Sequence, residues 1–282
     1  MTDDANTRID WNGPTADAWV ETQELLDDIF RPFEQLLVEA AGALPGDCVL
    51  DVGCGAGSLT LAFARATGQA VGVDISEAMI AAARSRAERE GAPASFVCAD
   101  AESHPFERAT FDRIVSRFGV MFFDDPVAAF TNLRRAAADH AALHFAAWRG
   151  ADENPFMTTA ERAAAPLLTL PARRPHEPGQ FALADRERVQ RILEQSGWSA
   201  IEIQPIDVVC TLPKTELVRY ATRLGPVGRA WNGLDDRTRA QVIESMTAAF
   251  APYVRGAEVR FTAACWMVSA RTERTLEPQG DF

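Results

Sequence analysis

The chain has 282 residues, of which 47% are hydrophobic and 24% are charged, a composition that excludes a disordered chain. Acidic residues outnumber basic ones by 40 to 28, and the resulting net charge of -12 argues against nucleic acid as a partner. No apolar run reaches the roughly 20 residues of a membrane-spanning helix, and residues 1–10 lack the features of a secretory signal. We therefore expect a cytoplasmic protein that binds no membrane.

Residues 1–46 are expected to form an irregular arm and then helices that cover the functional site. Apolar residues recur at helical spacing over residues 15–41, which predicts a long amphipathic helix. Pro32 lies inside this pattern and is expected to kink the helix or split it in two.

Short apolar runs and helical segments alternate over residues 47–149, which we interpret as the ligand-binding core. The predicted strands are residues 48–52, 70–74, 95–98, 111–116 and 143–148. The predicted helices between them are residues 59–66, 76–91 and 126–138. This alternation predicts parallel pairing and an α/β fold with a doubly wound sheet.

The pattern changes over residues 150–282, which are expected to complete the sheet with strands at 200–209 and 259–269. Two insertions, at residues 150–183 and 210–257, are expected to bind the substrate. The second insertion is mainly helical and separates two strands that should pair with each other. It is therefore expected to lie over the edge of the sheet as a lid.

Acidic residues follow three successive predicted strands, and the first of these strands leads into a glycine-rich turn at residues 53–57. Such a turn lets a ligand approach the backbone at the carboxyl edge of a sheet. Asp74 lies about 20 residues after the first glycine, where a carboxylate can accept hydrogen bonds from both hydroxyls of a ribose. With Asp51 before the turn and Asp100-Ala101 placed to contact an adenine edge, the pattern indicates an adenosine-type ligand.

Two other ligand classes fit this pattern poorly. A nicotinamide site favours a third glycine where this chain has Ser58, and Asp51 is a poor neighbour for a pyrophosphate but suits a cationic ligand. No metal site is expected, because the cysteines lack the spacing of zinc ligands and are interpreted as reduced thiols. These cysteines are Cys48, Cys54, Cys98, Cys210 and Cys265.

Together these features resemble class I S-adenosylmethionine-dependent methyltransferases, in particular the ubiquinone/menaquinone-biosynthesis-like small-molecule branch. The resemblance covers residues 33–149, with residues 49–57 similar to the first motif, 110–115 to the fourth-strand motif and 116–123 to the segment after it. It implies a Rossmann-like seven-stranded sheet with an antiparallel last strand. It also implies S-adenosyl-L-methionine as cofactor and S-adenosyl-L-homocysteine as product. One departure is that residues 136–140 replace the usual proline-glycine-glycine turn before the fifth strand.

The resemblance also implies which residues bind the cofactor, whereas the acceptor candidates are aromatic and apolar residues of the segments expected to surround the acceptor. The implied cofactor-binding residues are Asp51, Gly53, Gly55, Ala56, Asp74, Ile75, Met79, Asp100, Ala101, Ser116 and Arg117. The candidate residues for the methyl acceptor are Trp11, Trp19, Phe118, Met121, Trp148, Tyr220 and Trp231. No catalytic residue is predicted, because methyl transfer can depend on alignment alone and a general base is optional.

The aromatic candidates predict a small aromatic or lipophilic acceptor. The methyl group is expected to be transferred to an O, N or C atom, and the protein is expected to be a monomer or homodimer. Enzymes that methylate exocyclic amino groups of bases resemble one another in an Asn/Asp-Pro-Pro-Tyr run, which is absent after the fourth predicted strand. The alternative is a non-catalytic S-adenosylmethionine-binding regulatory protein of the same fold. Turnover of the cofactor with candidate acceptors would distinguish the two.

Overall fold

The structure is a computed structural model that describes residues 10–174 and 176–272. The expectations for residues 1–9 of the N-terminal arm and for residues 273–282 of the C-terminal region lie outside this part of the chain. None of the helices within it is long and apolar enough to cross a membrane.

A mixed sheet forms the centre of the molecule. Its strands are β1 (Val49–Val52), β2 (Ala70–Asp74), β3 (Ala94–Cys98), β4 (Phe111–Arg117), β5 (Ala137–Trp148), β6 (Ser199–Pro213), β7 (Val254–Arg255) and β8 (Glu258–Arg271). They are arranged in the order β3-β2-β1-β4-β5-β8-β6, and the two-residue β7 pairs with β8 outside this path. Strands β1 to β5 pair in parallel, whereas β8 runs antiparallel to both β5 and β6. The predicted fold class, with an antiparallel last strand, is therefore confirmed.

Helices connect and flank these strands. They are α1 (Pro14–Ala41), α2 (Ser58–Thr67), α3 (Glu77–Glu90), α4 (Pro126–Ala136), α5 (Thr159–Ala164), α6 (Arg186–Gln195), α7 (Leu217–Arg223), α8 (Gly225–Trp231) and α9 (Asp236–Phe250). Local capping sets several of their ends. The side chains of Ser76 and Asp125 accept backbone hydrogen bonds at the starts of α3 and α4, and Gly91 ends α3 in the left-handed region.

The direction of the connections places helices on both faces of the sheet. The connections through α2 and α3 move outward from β1 towards β3, whereas the connection through α4 moves from β4 in the opposite direction. Right-handed crossovers that run in opposite directions put their helices on opposite faces. Accordingly α1 contacts α2 and α3, while α4 contacts α6. The order reverses between β1 and β4, and a crevice for a ligand forms at the carboxyl ends of these two strands.

Two boundaries differ from the sequence-based expectation. Helix α1 continues through Pro32 without a break, and the buried side chains on either side of that residue, Phe30 and Phe33, hold both halves against the core. Strand β5 begins at Ala137, six positions earlier than predicted, because α4 leads directly into it without an intervening turn. A register shift between Phe111 and Arg113 accommodates this early start.

The two insertions pack against each other and against α1. Helix α5 of the first insertion contacts α8 and α9 of the second, and the Ser245 hydroxyl donates a hydrogen bond of 2.8 Å to the Ala163 carbonyl. Helix α7 contacts α1, where Arg219 donates a hydrogen bond of 2.5 Å to the Glu21 carbonyl. The helical insertion predicted between the last two long strands is therefore present.

Candidate active site

The loop after β1 and the loop after β4 touch at the centre of the sheet. Gly53 has a φ of +67°, and a Cβ built on it would lie 2.6 Å from the Cα of Gly119. Neither backbone can yield without moving its strand, so only glycine fits at residue 53. By contrast, a Cβ on Gly55 would meet no protein atom within 4 Å, and this part of the loop opens on the cavity.

Asp74 ties this glycine loop to the end of β2. Its Oδ2 accepts a hydrogen bond of 2.9 Å from the Gly55 backbone, and its Oδ1 accepts one of 2.9 Å from the Ser76 backbone. Burial raises the pKa of the carboxyl, while the hydrogen bonds from Ser76, Gly55 and Ile75 lower it. The carboxylate also lines the cavity. It therefore retains acceptor capacity for a ligand after it has fixed the loop.

Asp51 is almost completely buried beneath the same loop. Its Oδ2 accepts a hydrogen bond of 2.7 Å from the Thr60 hydroxyl. Burial raises the pKa of Asp51 to about 7, although the Thr60 hydrogen bond and the charge of Arg117 both lower it. A cationic ligand group in the cavity would favour the ionised form of this carboxyl.

Arg117 lies at the end of β4, and acidic side chains compensate its positive charge only in part. Its Nη2 lies 3.0 Å from Oδ1 of Asp27, which also holds Nη1 of Arg86 at 2.5 Å. Its Nη1 is buried without a hydrogen-bond partner and lies 4.0 Å from Oε2 of Glu34. Because Arg117 lines the cavity, the arrangement can accept an additional anionic group such as a carboxylate.

One cavity of about 1150 Å³ connects the carboxyl ends of the central strands with the two insertions. Single ligand pockets are commonly about 300–1,000 Å³, so the space suits a cofactor and an acceptor together. Of the predicted cofactor residues, those that line it are Asp51, Gly53, Gly55, Ala56, Asp74, Ile75, Met79, Asp100, Ala101 and Arg117.

Ser116 is not among the residues that line the cavity, and its role as a cofactor contact stays a prediction. Its side chain is fully buried, because it faces the strand beside it. The hydroxyl donates a hydrogen bond of 2.7 Å to the Val52 carbonyl and accepts one of 3.1 Å from the Gly119 backbone. Ser116 therefore joins the ends of β1 and β4 and positions the two loops.

Most of the acceptor candidates also line the cavity, and one of them does not. Those that line the cavity are Trp11, Trp19, Phe118, Met121, Trp148 and Tyr220. Phe118 and Trp148 are stacked with ring centroids 4.8 Å apart and an interplanar angle of 15°. Trp231 is not among the lining residues and is partly buried against the hydrophobic core, so its contact with the acceptor stays a prediction.

Comparisons with known proteins identify this arrangement. A family model described as a methyltransferase domain matches residues 49–140. The ubiquinone/menaquinone biosynthesis C-methyltransferase UbiE of Burkholderia vietnamiensis is 33% identical over 122 residues, which are 40% of this chain and 50% of that protein. An uncharacterized protein of Mycobacterium tuberculosis is 30% identical over 124 residues, which are 44% of this chain and 45% of that protein.

The chain carries a class I S-adenosylmethionine-dependent methyltransferase domain of the UbiE-like type. Its fold is similar to that of Haemonchus contortus phosphoethanolamine N-methyltransferase 2, which was solved in complex with S-adenosyl-L-methionine. That comparison has a TM-score of 0.58 at 17% identity and covers 95% of this chain and 61% of the other. The chain spans about half the length of the curated relatives it matches. S-adenosylmethionine is the cofactor of this class of domain.

Several polar residues on the cavity wall of the methyltransferase domain were not found by sequence reasoning. Gln23 of α1 has a buried amide oxygen without a hydrogen-bond partner. Glu161, Arg173 and Arg229 come from the two insertions. The only sequence signal for them was their position in the segments expected to bind substrate, since only the packing of α5 against α8 brings them together.

Two other titratable groups have different environments. The Tyr220 hydroxyl donates a hydrogen bond of 3.6 Å to Sδ of Met157, and burial raises its pKa. His144 lies in β5 away from the cavity, and burial lowers its pKa to about 4, as expected for a neutral core histidine.

Among the residues that the structure describes, no cluster of three or more His, Cys, Asp or Glu side chains suits a metal ion.

Proposed function

We propose that the protein is an S-adenosylmethionine-dependent methyltransferase that acts on a small aromatic or lipophilic molecule. The observation that carries the proposal is a single cavity with two kinds of wall. Acidic residues at the ends of β1 to β3 form one part of it, and the stacked Phe118 and Trp148 form another. A cofactor and a flat acceptor can therefore meet inside one cavity.

The residues of the cofactor side fit the chemistry of S-adenosylmethionine. Asp74 offers its carboxylate to the two ribose hydroxyls, and Asp100 with Ala101 offers an edge for the adenine. Asp51 provides a buried carboxyl near the cationic end of the cofactor, and the guanidinium of Arg117, which lines the cavity, can pair with its carboxylate. The Gly55 region supplies a wall without a side chain, where the cofactor approaches the backbone.

The residues on the acceptor side can position the acceptor and shield it from water. Bound S-adenosylmethionine supplies an activated methyl group, so the chain's own residues need to align the acceptor and exclude water. The stack of Phe118 on Trp148 offers a rigid apolar surface, and Phe156 of the first insertion also lines the cavity. Trp11 and Trp19 lie on the N-terminal side with ring centroids 5.8 Å apart. Together these side chains favour a planar or lipophilic acceptor over a highly hydrated one.

The proposal is tested in two steps on the full chain. Calorimetry with S-adenosyl-L-homocysteine should show binding in the low-micromolar range, about -7 to -8 kcal/mol. Release of S-adenosylhomocysteine is then measured against a panel of phenols, aromatic amines and prenylated quinols, with acceptor-free protein as the control. Absence of binding on folded protein would contradict the cofactor assignment. Tight binding without turnover of any acceptor would favour the regulatory alternative. The cytoplasmic location, the oligomeric state of a monomer or homodimer, and the domain boundaries stay predictions.

A further inference from the structure

Four arginines line the cavity among the described residues, and three of them belong to the two insertions. The acidic residues of the cofactor side and the adjacent N-terminal segment are Asp10, Asp27, Asp51, Asp74, Asp100, Glu102 and Asp124. The two insertions contribute Arg173, Arg174 and Arg229, which we call the arginine rim, together with the acidic Glu161 and Glu177. A chain with a net charge of -12 thus places three arginines around the part of the cavity that lies beyond the cofactor.

Two of these arginines form ion pairs with acidic side chains next to them. Arg173 forms an ion pair with Glu161, with Nε 3.1 Å from Oε2, and its guanidinium lies 4.6 Å from the ring centroid of Phe181. Arg174 pairs with Glu177 at 3.1 Å. Arg229 differs, because within residues 10–174 and 176–272 it makes neither a hydrogen bond nor an ion pair.

The surroundings of Arg229 leave positive charge uncompensated. Helix α8, which carries Arg229, contacts helix α5, which carries Glu161. Partial desolvation lowers the pKa of the Arg229 guanidinium, Glu161 raises it and Arg173 lowers it further. One carboxylate therefore serves two guanidinium groups, and it makes its close contact with Arg173. An additional anion would balance the positive charge that remains on these two guanidinium groups.

We propose that the arginine rim binds an anionic group of the methyl acceptor, a carboxylate or a phosphate, with Arg229 as its main ligand. This inference rests on the proposed function and narrows its substrate class to amphipathic molecules. The flat apolar part of the acceptor lies against Phe118 and Trp148, and its charged end lies at the mouth of the cavity.

The physical advantage of this arrangement is both attraction and orientation. A guanidinium binds a carboxylate or phosphate through two parallel hydrogen bonds, which fixes direction as well as position. Arg229 is exposed at the mouth, so an incoming anion loses only part of its hydration there. The local positive charge also offsets the repulsion that an anionic molecule would experience from the acidic protein as a whole.

The test uses three probes with the same ring system and different charge. The wild-type protein, loaded with S-adenosyl-L-homocysteine, is titrated with 1-naphthoate, 1-naphthyl phosphate and neutral 1-naphthamide while tryptophan fluorescence is followed. We expect at least one anionic probe to bind about tenfold more tightly than the amide, as charge-assisted hydrogen bonds predict. The preferred anion identifies the natural group as a carboxylate or a phosphate.

Arg229→Met is compared with Arg237→Met, a control in which an exposed arginine outside the cavity is removed. Arg229→Met should abolish the preference for the anion while leaving the affinities for 1-naphthamide and for S-adenosylhomocysteine within about twofold. The control should keep the preference. The inference would be overturned if neither anionic probe bound, if both bound no more tightly than the neutral amide, or if the two variants lost the preference equally. Loss of S-adenosylhomocysteine binding in the wild type would instead contradict the proposed function.

Discussion

The carboxylate of Asp74 accepts a hydrogen bond of 2.9 Å from the backbone N–H of Gly55, so an acidic strand end is tied directly to the glycine loop of the neighbouring strand. The same carboxylate lines the cavity. A residue expected to bind the ribose therefore also holds the loop against which the cofactor would lie. Cofactor affinity and local order are coupled at this residue.

Replacing Asp74 by Ala should weaken S-adenosylhomocysteine binding by about 2–3 kcal/mol, because a charged acceptor shared by two hydroxyls is lost. The variant should also melt slightly earlier, since the backbone N–H groups of Gly55 and Ser76 lose their acceptor. Calorimetry and a thermal melt measure the two effects. Asp236→Ala removes an exposed carboxylate from α9 and is the control. Unchanged affinity in the Asp74 variant would show that the carboxylate only braces the loop.

Replacing Gly53 by Ala should be much more destabilising than replacing Gly91 by Ala. Both glycines have positive φ, so each substitution carries the strain of a left-handed residue, about 1–2 kcal/mol. At Gly91 a new Cβ meets nothing within 4 Å, whereas at Gly53 it would lie 2.6 Å from the Cα of Gly119. Urea unfolding of the two variants should therefore differ by about 2 kcal/mol or more. Equal losses would mean that the β1 and β4 loops separate easily.

The glycine loop and the acidic strand ends could be predicted because each is a local pattern. A short apolar run, a glycine and an acid at fixed spacing define Asp51 and Asp74 without knowledge of their neighbours. Ser116 could not be assigned in this way. It stands next to Arg117 in the sequence, but alternation along β4 turns its hydroxyl towards Val52 and away from the cavity.

The residues of the acceptor side are brought together by long-range packing, which no local sequence pattern describes. Tyr220 and Trp231 belong to the same insertion and have the same aromatic character, yet only Tyr220 reaches the cavity. Arg229 lies two positions before Trp231 in α8 and does line it. No pattern within this short helix distinguishes the two positions, because the contact of α8 with α5 decides which side faces inward.

The affinity for S-adenosylmethionine should rise as the pH rises through about 7. Burial raises the pKa of Asp51 to about 7, so the carboxyl is largely neutral at pH 6 and largely charged at pH 8. A cationic ligand gains attraction only from the charged form, and its binding should therefore release a proton near pH 6. We expect a change on the order of tenfold between these pH values, measured by calorimetry in buffers of different ionisation enthalpy. Asp51→Asn, which preserves the shape of the side chain, should bind with little dependence on pH. A slope that persists in this variant would assign the titration to another group.

The two aromatic residues of the helical insertion should respond differently to replacement by Ala. Tyr220 lines the cavity, and its ring centroid lies 5.9 Å from that of Phe156, so its removal opens the acceptor side to water. We expect Tyr220→Ala to lower kcat/KM for an acceptor found by screening by about tenfold, or ~1.4 kcal/mol. Trp231→Ala removes a side chain that packs on the core, and it should lower the melting temperature with little effect on methyl transfer.

Each variant is assayed in parallel for S-adenosylhomocysteine affinity, which should change by less than about 1 kcal/mol in both because neither residue belongs to the proposed cofactor side. Tyr220→Phe serves as a second control, since it keeps the ring and removes only the hydroxyl that contacts Sδ of Met157. If Tyr220→Phe retains activity that Tyr220→Ala loses, the ring acts by filling space and excluding water. If the Trp231 variant loses transfer and the Tyr220 variant does not, the acceptor enters on the other side of the insertion.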